Sequence, residues 1–189
     1  MNRNVPSCFA YRRAHKCELV QVARLLNRHY VENLDSVERK DGFLSAQFSV
    51  EQLALMNSDV GIVVCLVNEF LAGCLCGTSA TSNTLPSPAL AMVRNLPTWS
   101  LHGKYFDEAR TLVYGPVCID RSFRRQGILQ GLFKQLLKHA HGRFDRGVAF
   151  IANSNIHSIA AHIDGLGMTA VGEFTFNGDP LSVLAFDIH

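Results

Sequence analysis

The apolar run Val117-Cys118-Ile119 stops at Asp120, and the basic, glycine-punctuated segment Arg124-Arg125-Gln126-Gly127-Ile128-Leu129 follows it. From there Ile128, Leu129, Leu132, Phe133, Leu136, Leu137 and Ala140 recur at helical spacing, with Lys134, Gln135 and Lys138 on the other side. A strand, a tight turn and a helix therefore succeed one another. The first N–H groups of a helix lack intrahelical partners, and its start carries partial positive charge. Two arginines placed there oppose the helix dipole unless an anion sits with them, so the turn reads as a seat for the pyrophosphate of a nucleotide-bearing cofactor.

The rest of the chain supplies strands and helices around that unit. Residues 9–12 read as a first strand, and residues 17–30 as a helix with Leu19, Val22, Ala23, Leu26 and Tyr30 on one face. A polar stretch through Asp35, Glu38, Lys40 and Asp41 leads to Gly42-Phe43-Leu44, and Ser49 is placed to cap a second short helix. Residues 61–67 and 71–78 make an antiparallel hairpin around Asn68-Glu69-Phe70. Residues 79–110 dissolve into Ser, Thr, Asn and Pro, which predicts a long loop or lid holding a short helix near 89–93 and an aromatic patch from Trp99 to Phe106. A strand over 111–119, broken by a bulge at Gly115-Pro116, precedes the turn. After the helix come a buried strand at 147–152, a helix opening at Ser154 or Asn155, and a hairpin of 170–176 with 181–188 around residues 177–180. The order is βα(α)ββ, lid, βαβαββ: an α/β protein with a mixed sheet, no repeat and no internal domain boundary, expected as one domain over 1–189.

Composition excludes several alternatives. With 189 residues and 48% apolar content the chain can bury a substantial core, and no apolar stretch is long enough to cross a bilayer. The start, Met1 to Pro6, lacks the apolar core of a secretory leader, so a cytoplasmic location is the expectation. Cys8, Cys17, Cys65, Cys74, Cys76 and Cys118 lie mostly inside apolar runs and read as packing thiols. No Cys or His pairs stand at zinc spacing, so no metal is expected. A net charge of +2 is too small to argue for a nucleic-acid surface, even with Arg121, Arg124, Arg125, Lys134 and Lys138 close together.

The constellation from Val113 onward resembles the GNAT superfamily of N-acetyltransferases, and the resemblance extends over most of the chain. Arg124, Gly127 and Leu129 occupy the positions of that family's acetyl-CoA signature, where Leu129 replaces a Gly or Ala and Gly131 stands just beyond. Asn155, Ser158 and His162 match its Asn, small residue and Tyr series, and Leu166-Gly167-Met168 resembles its closing element. Anchored at Asn155, the tyrosine position falls on His162; anchored at Gly167, it falls on Ile163.

The resemblance implies a GNAT-like mixed central sheet whose fourth and fifth strands splay apart, with helices on both sides. It implies acetyl-CoA as donor, held by Val117, Cys118 and Ile119 along the pantetheine arm and by Arg124, Arg125, Gln126, Gly127, Ile128, Leu129, Asn155 and Ser158 around the rest. The reaction implied is N-acetylation of a primary amine by direct attack through a tetrahedral intermediate. His162 is then the candidate acid for the departing thiolate, with plain helix packing as its other reading. Tyr114 and Glu173 are candidate bases, and Asp107 and Glu108 fall in the lid. Phe43 and Tyr114 are candidates for the acceptor pocket. Asn155 reads equally as a helix cap or a cofactor contact, and Cys118 as inert packing. The acceptor implied is a small-molecule or protein amine, with neither nucleic acid nor membrane as partner, and a homodimer through the C-terminal strands fits the family. The alternative is a catalytically inactive CoA-binding or sensory module on the same fold.

Overall fold

The computed structural model describes residues 9–40 and 42–189, so the leader reading of Met1 to Pro6, Cys8 and Asp41 lie outside the described residues. Strand β1 (Phe9–Arg13) leads to helix α1 (Leu19–Arg28), the short α2 (Ser36–Lys40) and α3 (Val50–Ser58). The hairpin β2 (Gly61–Val67) and β3 (Phe70–Ser79) follows, then α4 (Ser87–Asn95) and the two-residue strands β4 (Ser100–Leu101) and β5 (Lys104–Tyr105). The second half runs β6 (Thr111–Ile119), α5 (Ile128–Ala140), β7 (Arg146–Ala152), α6 (Ile156–Leu166), β8 (Thr169–Phe176) and β9 (Asp179–Asp187).

Seven strands form one sheet in the order β1-β2-β3-β6-β7-β9-β8, and β4 pairs with β5 apart from it. β6 and β7 are parallel and every other neighbouring pair is antiparallel. The mixed α/β sheet expected from the sequence is the one found.

Local chemistry explains the element ends. Ser49 accepts a bond from Gln52 N at 3.2 Å while the Gln52 side chain accepts from Ser49 N at 2.9 Å, a reciprocal cap that starts α3. Asn68 and Glu69 both adopt positive φ, a two-residue hairpin turn whose twist matches the strands, so Phe70 joins β3 instead of the turn. Asn177 and Gly178 do the same between β8 and β9, and Asp179 and Pro180 therefore belong to the strand.

Helices cover both faces, which lets nearly every central-strand residue be apolar. On one face α5 buries Ile128, Leu132, Leu136 and Ala140 against β2 and β3. Close approach there depends on Gly131, where an added Cβ would stand 2.1 Å from the Tyr11 ring. Gly131 thus serves helix–sheet packing. On the other face Leu19, Val22 and Leu26 of α1 and Leu53 and Met56 of α3 pack on Ile62, Val64, Cys74 and Cys76. Cys65, Cys74, Cys76 and Cys118 are buried free thiols and Cys17 is an exposed one. Among the described residues no helix is long and apolar enough to cross a membrane.

Residues 79–110 depart from the expected loop. α4, the turn Leu96–Thr98 and the β4/β5 pair bring Ala89, Met92, Leu96, Trp99, Leu101 and Phe106 into a third apolar cluster with Val113, Val148 and Val183 of the sheet. The polar residues that suggested a loop sit at the ends of these short elements, and the apolar ones are too unevenly spaced to show a single period. The Trp99 indole covers Gly172 of β8, where an added Cβ would meet Nε1 at 2.2 Å. Because this cluster is continuous with the sheet, we expect it to unfold with the sheet. Trp99 is the chain's one tryptophan, so its fluorescence in a urea titration should coincide with far-UV circular dichroism. A fluorescence transition at clearly lower urea would show a separately mobile lid.

Candidate functional site

β6 and β7 are paired only where Thr111, Leu112 and Val113 face Arg146, Gly147 and Val148. Beyond that point they part, although β6 continues to Ile119 and β7 to Ala152. The cause is visible in the other partner of β6. Leu75 of β3 faces Val117 while Gly77 faces Tyr114, so the ladder slips at Gly115-Pro116, and a bulge of this kind bends its strand. The bulge expected there is present, and the wedge it opens is the splayed pair.

Two cavities meet in this wedge. A groove of about 540 Å³ runs along Val117, Cys118, Ile119, Arg124, Arg125 and Gly127 to Ile128 and Leu129. A smaller, mostly apolar cavity of about 120 Å³ lies between the strands and extends under Leu85, Pro86 and Ala89. Phe43, Leu44, Val117, Asn155, Ser158 and His162 line both and mark the junction.

The groove's charged end is built by the turn. Asp120 accepts from Ser122 N at 3.0 Å and so starts the 3-10 turn Arg121–Phe123. Arg124 Nε donates to Ile119 O at 3.2 Å, holding the side chain along the strand end. Arg125 then takes φ +62° and Gly127 φ +77°, the left-handed conformations that reverse the chain into α5. The first intrahelical bond of α5 is Gly131 N to Gly127 O at 3.2 Å, so the N–H groups of residues 128–130 precede any intrahelical acceptor. The helix start has no side-chain cap and no acidic residue in its first turn. Gln126 does not line the groove; its amide donates to Ser122 O at 3.3 Å, which removes its side chain from the cofactor set.

The junction holds a buried polar chain. His162 Nδ1–H donates to Ser158 O at 2.7 Å, which leaves Nε2 as an acceptor, and the Tyr114 hydroxyl donates to it at 3.1 Å. The tyrosine ring is wedged edge-on against Phe133, His162 and Phe186. Burial pushes the Tyr114 hydroxyl far above the usual phenol range and pulls His162 below the usual imidazole value. Tyr114 thus keeps its proton at any physiological pH, which removes it as a free-standing base and makes it a donor. His162 is neutral. Of the two residues offered for the tyrosine position, His162 lines both cavities, whereas Ile163 packs into the core with α5.

Three other expectations resolve by position. The Asn155 side chain makes no cap to α6; its Nδ2 donates to Phe43 O at 3.1 Å, and its Oδ1 is buried without a partner. Glu173 lines neither cavity. It is exposed on β8 opposite Ser182 and accepts from Asn153 Nδ2 at 3.2 Å, so the register of the last hairpin carries it away from the wedge. Asp107 is used locally, accepting from Ala109 N at 3.0 Å.

His29 is one of the groove-lining residues that sequence reasoning passed over. Its Nδ1 lies 3.0 Å from Leu25 O and 3.2 Å from Cys118 Sγ, a partner 89 positions away that no local spacing could reveal. Burial pushes the Cys118 thiol up to about 12, so it stays a neutral thiol.

No family model matches the sequence, and no curated protein matches it. Solved structures do share its fold. The chain is similar to an N-acetyltransferase of Staphylococcus aureus Mu50, with 19% identity, 97% of this chain and 100% of that one covered, and a TM-score of 0.65. It is similar to the GNAT-family acetyltransferase of Streptococcus pneumoniae at 12% identity, 96% and 100% coverage and a TM-score of 0.64. It is also similar to the Salmonella typhimurium protein YncA, solved with its cofactor acetyl-CoA, at 15% identity, 96% and 94% coverage and a TM-score of 0.64. The seven-stranded sheet with its splayed pair is the GNAT fold.

The histidine environments fix a pH dependence. Burial lowers His162, His29 and His139, so as pH falls the unfolded chain takes up protons near 6.5 before the folded protein does. Stability is therefore greatest above that pH and declines below it. The melting temperature should drop between about pH 7.5 and about pH 5.5, and His162→Gln should flatten the slope. An unchanged slope in that variant would remove His162 as a source of the effect.

Proposed function

We propose that the protein is an acetyl-CoA-dependent N-acetyltransferase that acts as one domain on a primary amine, by direct attack through a tetrahedral intermediate. The observation that carries this reading is the continuity of the charged groove with the apolar cavity at a buried, neutral imidazole. Acetyl-CoA fits the residues present. The uncapped, acid-free start of α5, with Arg124 and Arg125 in the groove wall, suits a pyrophosphate, and an added Cβ at Gly127 would meet nothing within 4 Å, so this stretch of groove is open. Among the described residues no strand lies beside β6 on its β7 side after Val113, so the backbone of Val117, Cys118 and Ile119 is available to the amides of the pantetheine arm.

When bound, the thioester supplies an activated acyl group and a sulfur that leaves as a thiolate. The chain's own residues then manage protons. The Tyr114 hydroxyl passes the amine's proton to His162 Nε2 as it gives up its own, and the same path returns it to the leaving sulfur; the phenol stays neutral throughout. His162 is thus acceptor first and donor second, and the Ser158 carbonyl steadies the imidazolium through Nδ1. A neutral Cys118 thiol turned toward His29 supports transfer without an acyl-cysteine. The second reading, an inactive CoA-binding or sensory module, is favoured by one observation: among the described residues lining the apolar cavity there is no carboxylate.

Acetyl-CoA at a hundredfold excess over its dissociation constant should stabilise the protein by about 2.7 kcal/mol, a rise of roughly 5–10 °C in melting temperature. Gly127→Val, which forces a β-branched residue to φ +77°, should abolish that rise. No rise in the parent protein would separate the turn from any donor. Tyr114→Phe should lower kcat by about 10²-fold or more while the KM for acetyl-CoA holds. Saturable binding with no turnover over a broad amine panel would make the protein the inactive module.

A further inference from the structure

The apolar cavity between the strands carries information about the acceptor beyond its location. Among the described residues that line it, none is Asp, Glu, Lys or Arg, and the titratable ones are His162 and Tyr114, which hydrogen-bond each other. Its walls are otherwise mostly Phe, Leu, Met, Pro, Ala, Val and Ile side chains, with Ser45, Thr78, Asn155 and Ser158 as the neutral polar ones. A cationic group taken into such surroundings leaves water without gaining a counter-charge, which is strongly unfavourable. The volume is also limiting. At about 120 Å³ it is close to the roughly 150 Å³ of an apolar cavity that holds one benzene ring, so its apolar part suits about one ring.

Polar groups mark its two ends. Thr78 of β3 is paired in register with Val113, the last residue of β6 still joined to β7, so it stands at the closed end of the wedge. It is 1% exposed, and its hydroxyl has no hydrogen-bond partner. Asn155, 6% exposed and with its Oδ1 equally unpartnered, stands at the junction. Buried side-chain oxygens are nearly always paired, so two orphans lining one small cavity point to a ligand that completes them. The reacting nitrogen belongs at the junction, next to His162 and Asn155, which assigns Thr78 to the far end of the acceptor.

We propose that the acceptor is a small amine on an uncharged apolar frame of about one ring, with a neutral hydrogen-bonding group at its far end that pairs with the Thr78 hydroxyl. Polyamines are disfavoured by their further charges, and amino sugars by hydroxyls that the apolar walls would leave unpaired. The proposal rests on the acetyltransferase reading of the same site, because that reading fixes which end of the cavity faces the donor.

Calorimetric binding to the protein saturated with CoA tests it without needing turnover. The probes are tyramine, phenethylamine, spermidine and glucosamine. Tyramine should bind about tenfold tighter than phenethylamine, from one added hydrogen bond to a buried orphan, and both should bind far tighter than the other two. Affinity for both aromatic amines should rise about tenfold per pH unit below the amine's own pKa, since the neutral form is the one accepted. Thr78→Val should erase the advantage of tyramine, and Thr78→Ser, which keeps the hydroxyl, should restore it. Spermidine or glucosamine binding as tightly as tyramine overturns the proposal, as does no binding by any probe. So does a KM that falls as the acyl chain of the donor lengthens while phenethylamine is displaced, which would give the cavity to the acyl group. A melting-temperature rise with acetyl-CoA in the same samples keeps the transferase reading standing in those cases; its absence removes both.

Discussion

β6 and β7 touch over three residue pairs and then diverge, and the divergence is held open from outside. β6 is laddered to β3 as far as Ile119, and β7 is laddered to β9 from Arg146 to Ala152. Each arm of the wedge is therefore fixed along its length by its outer neighbour, so the gap cannot close by the strands zipping together. A cavity in a protein interior ordinarily collapses or fills, because close packing is favourable. Here two ladders prevent it, and the space they keep is the one that groove and cavity share.

The polar groups around that space are divided by distance from solvent. Cations gather at the open end, where Arg28 bridges Asp120 at 3.4 Å and Arg121 bridges Glu38 at 2.8 Å, beside Arg124 and Arg125 in the groove wall. These surface pairs contribute little to stability by themselves. Deeper in, charge gives way to neutral pairs, Tyr114 with His162 and Cys118 with His29, each held neutral by burial. Arginines at the mouth and neutral groups within suit a long anionic molecule whose reactive end is apolar.

Much of this was legible in the chain because the signals are local. The periodicity from Ile128 to Ala140, the Ser49 cap and the strand-turn-helix order each depend on neighbours in sequence, and each appears in the fold. The third apolar cluster was not legible, since α4, Leu96–Thr98 and the β4/β5 pair are too short for a period to show, and their apolar residues find partners only on the far strands. The site divided the same way. The turn could be read from Arg124 and Gly127, whereas the exclusion of Glu173 depends on a register slip between Ala170 and Gly172. The His29–Cys118 and Asn155–Phe43 contacts join residues 89 and 112 positions apart, and nothing in a single sequence links them.

The strand order adds a consequence for how the chain reaches this state. β9 is last in sequence, yet it lies between β7 and β8. While the chain is being synthesised, the edge of β7 that faces away from the wedge stays bare along the apolar sequence Gly147-Val148-Ala149-Phe150-Ile151-Ala152 until residues 179–187 emerge and insert. Such an edge is a template for another chain. A protein cut just before β9 would retain every residue proposed for donor binding and proton transfer, and would still expose that edge to other chains.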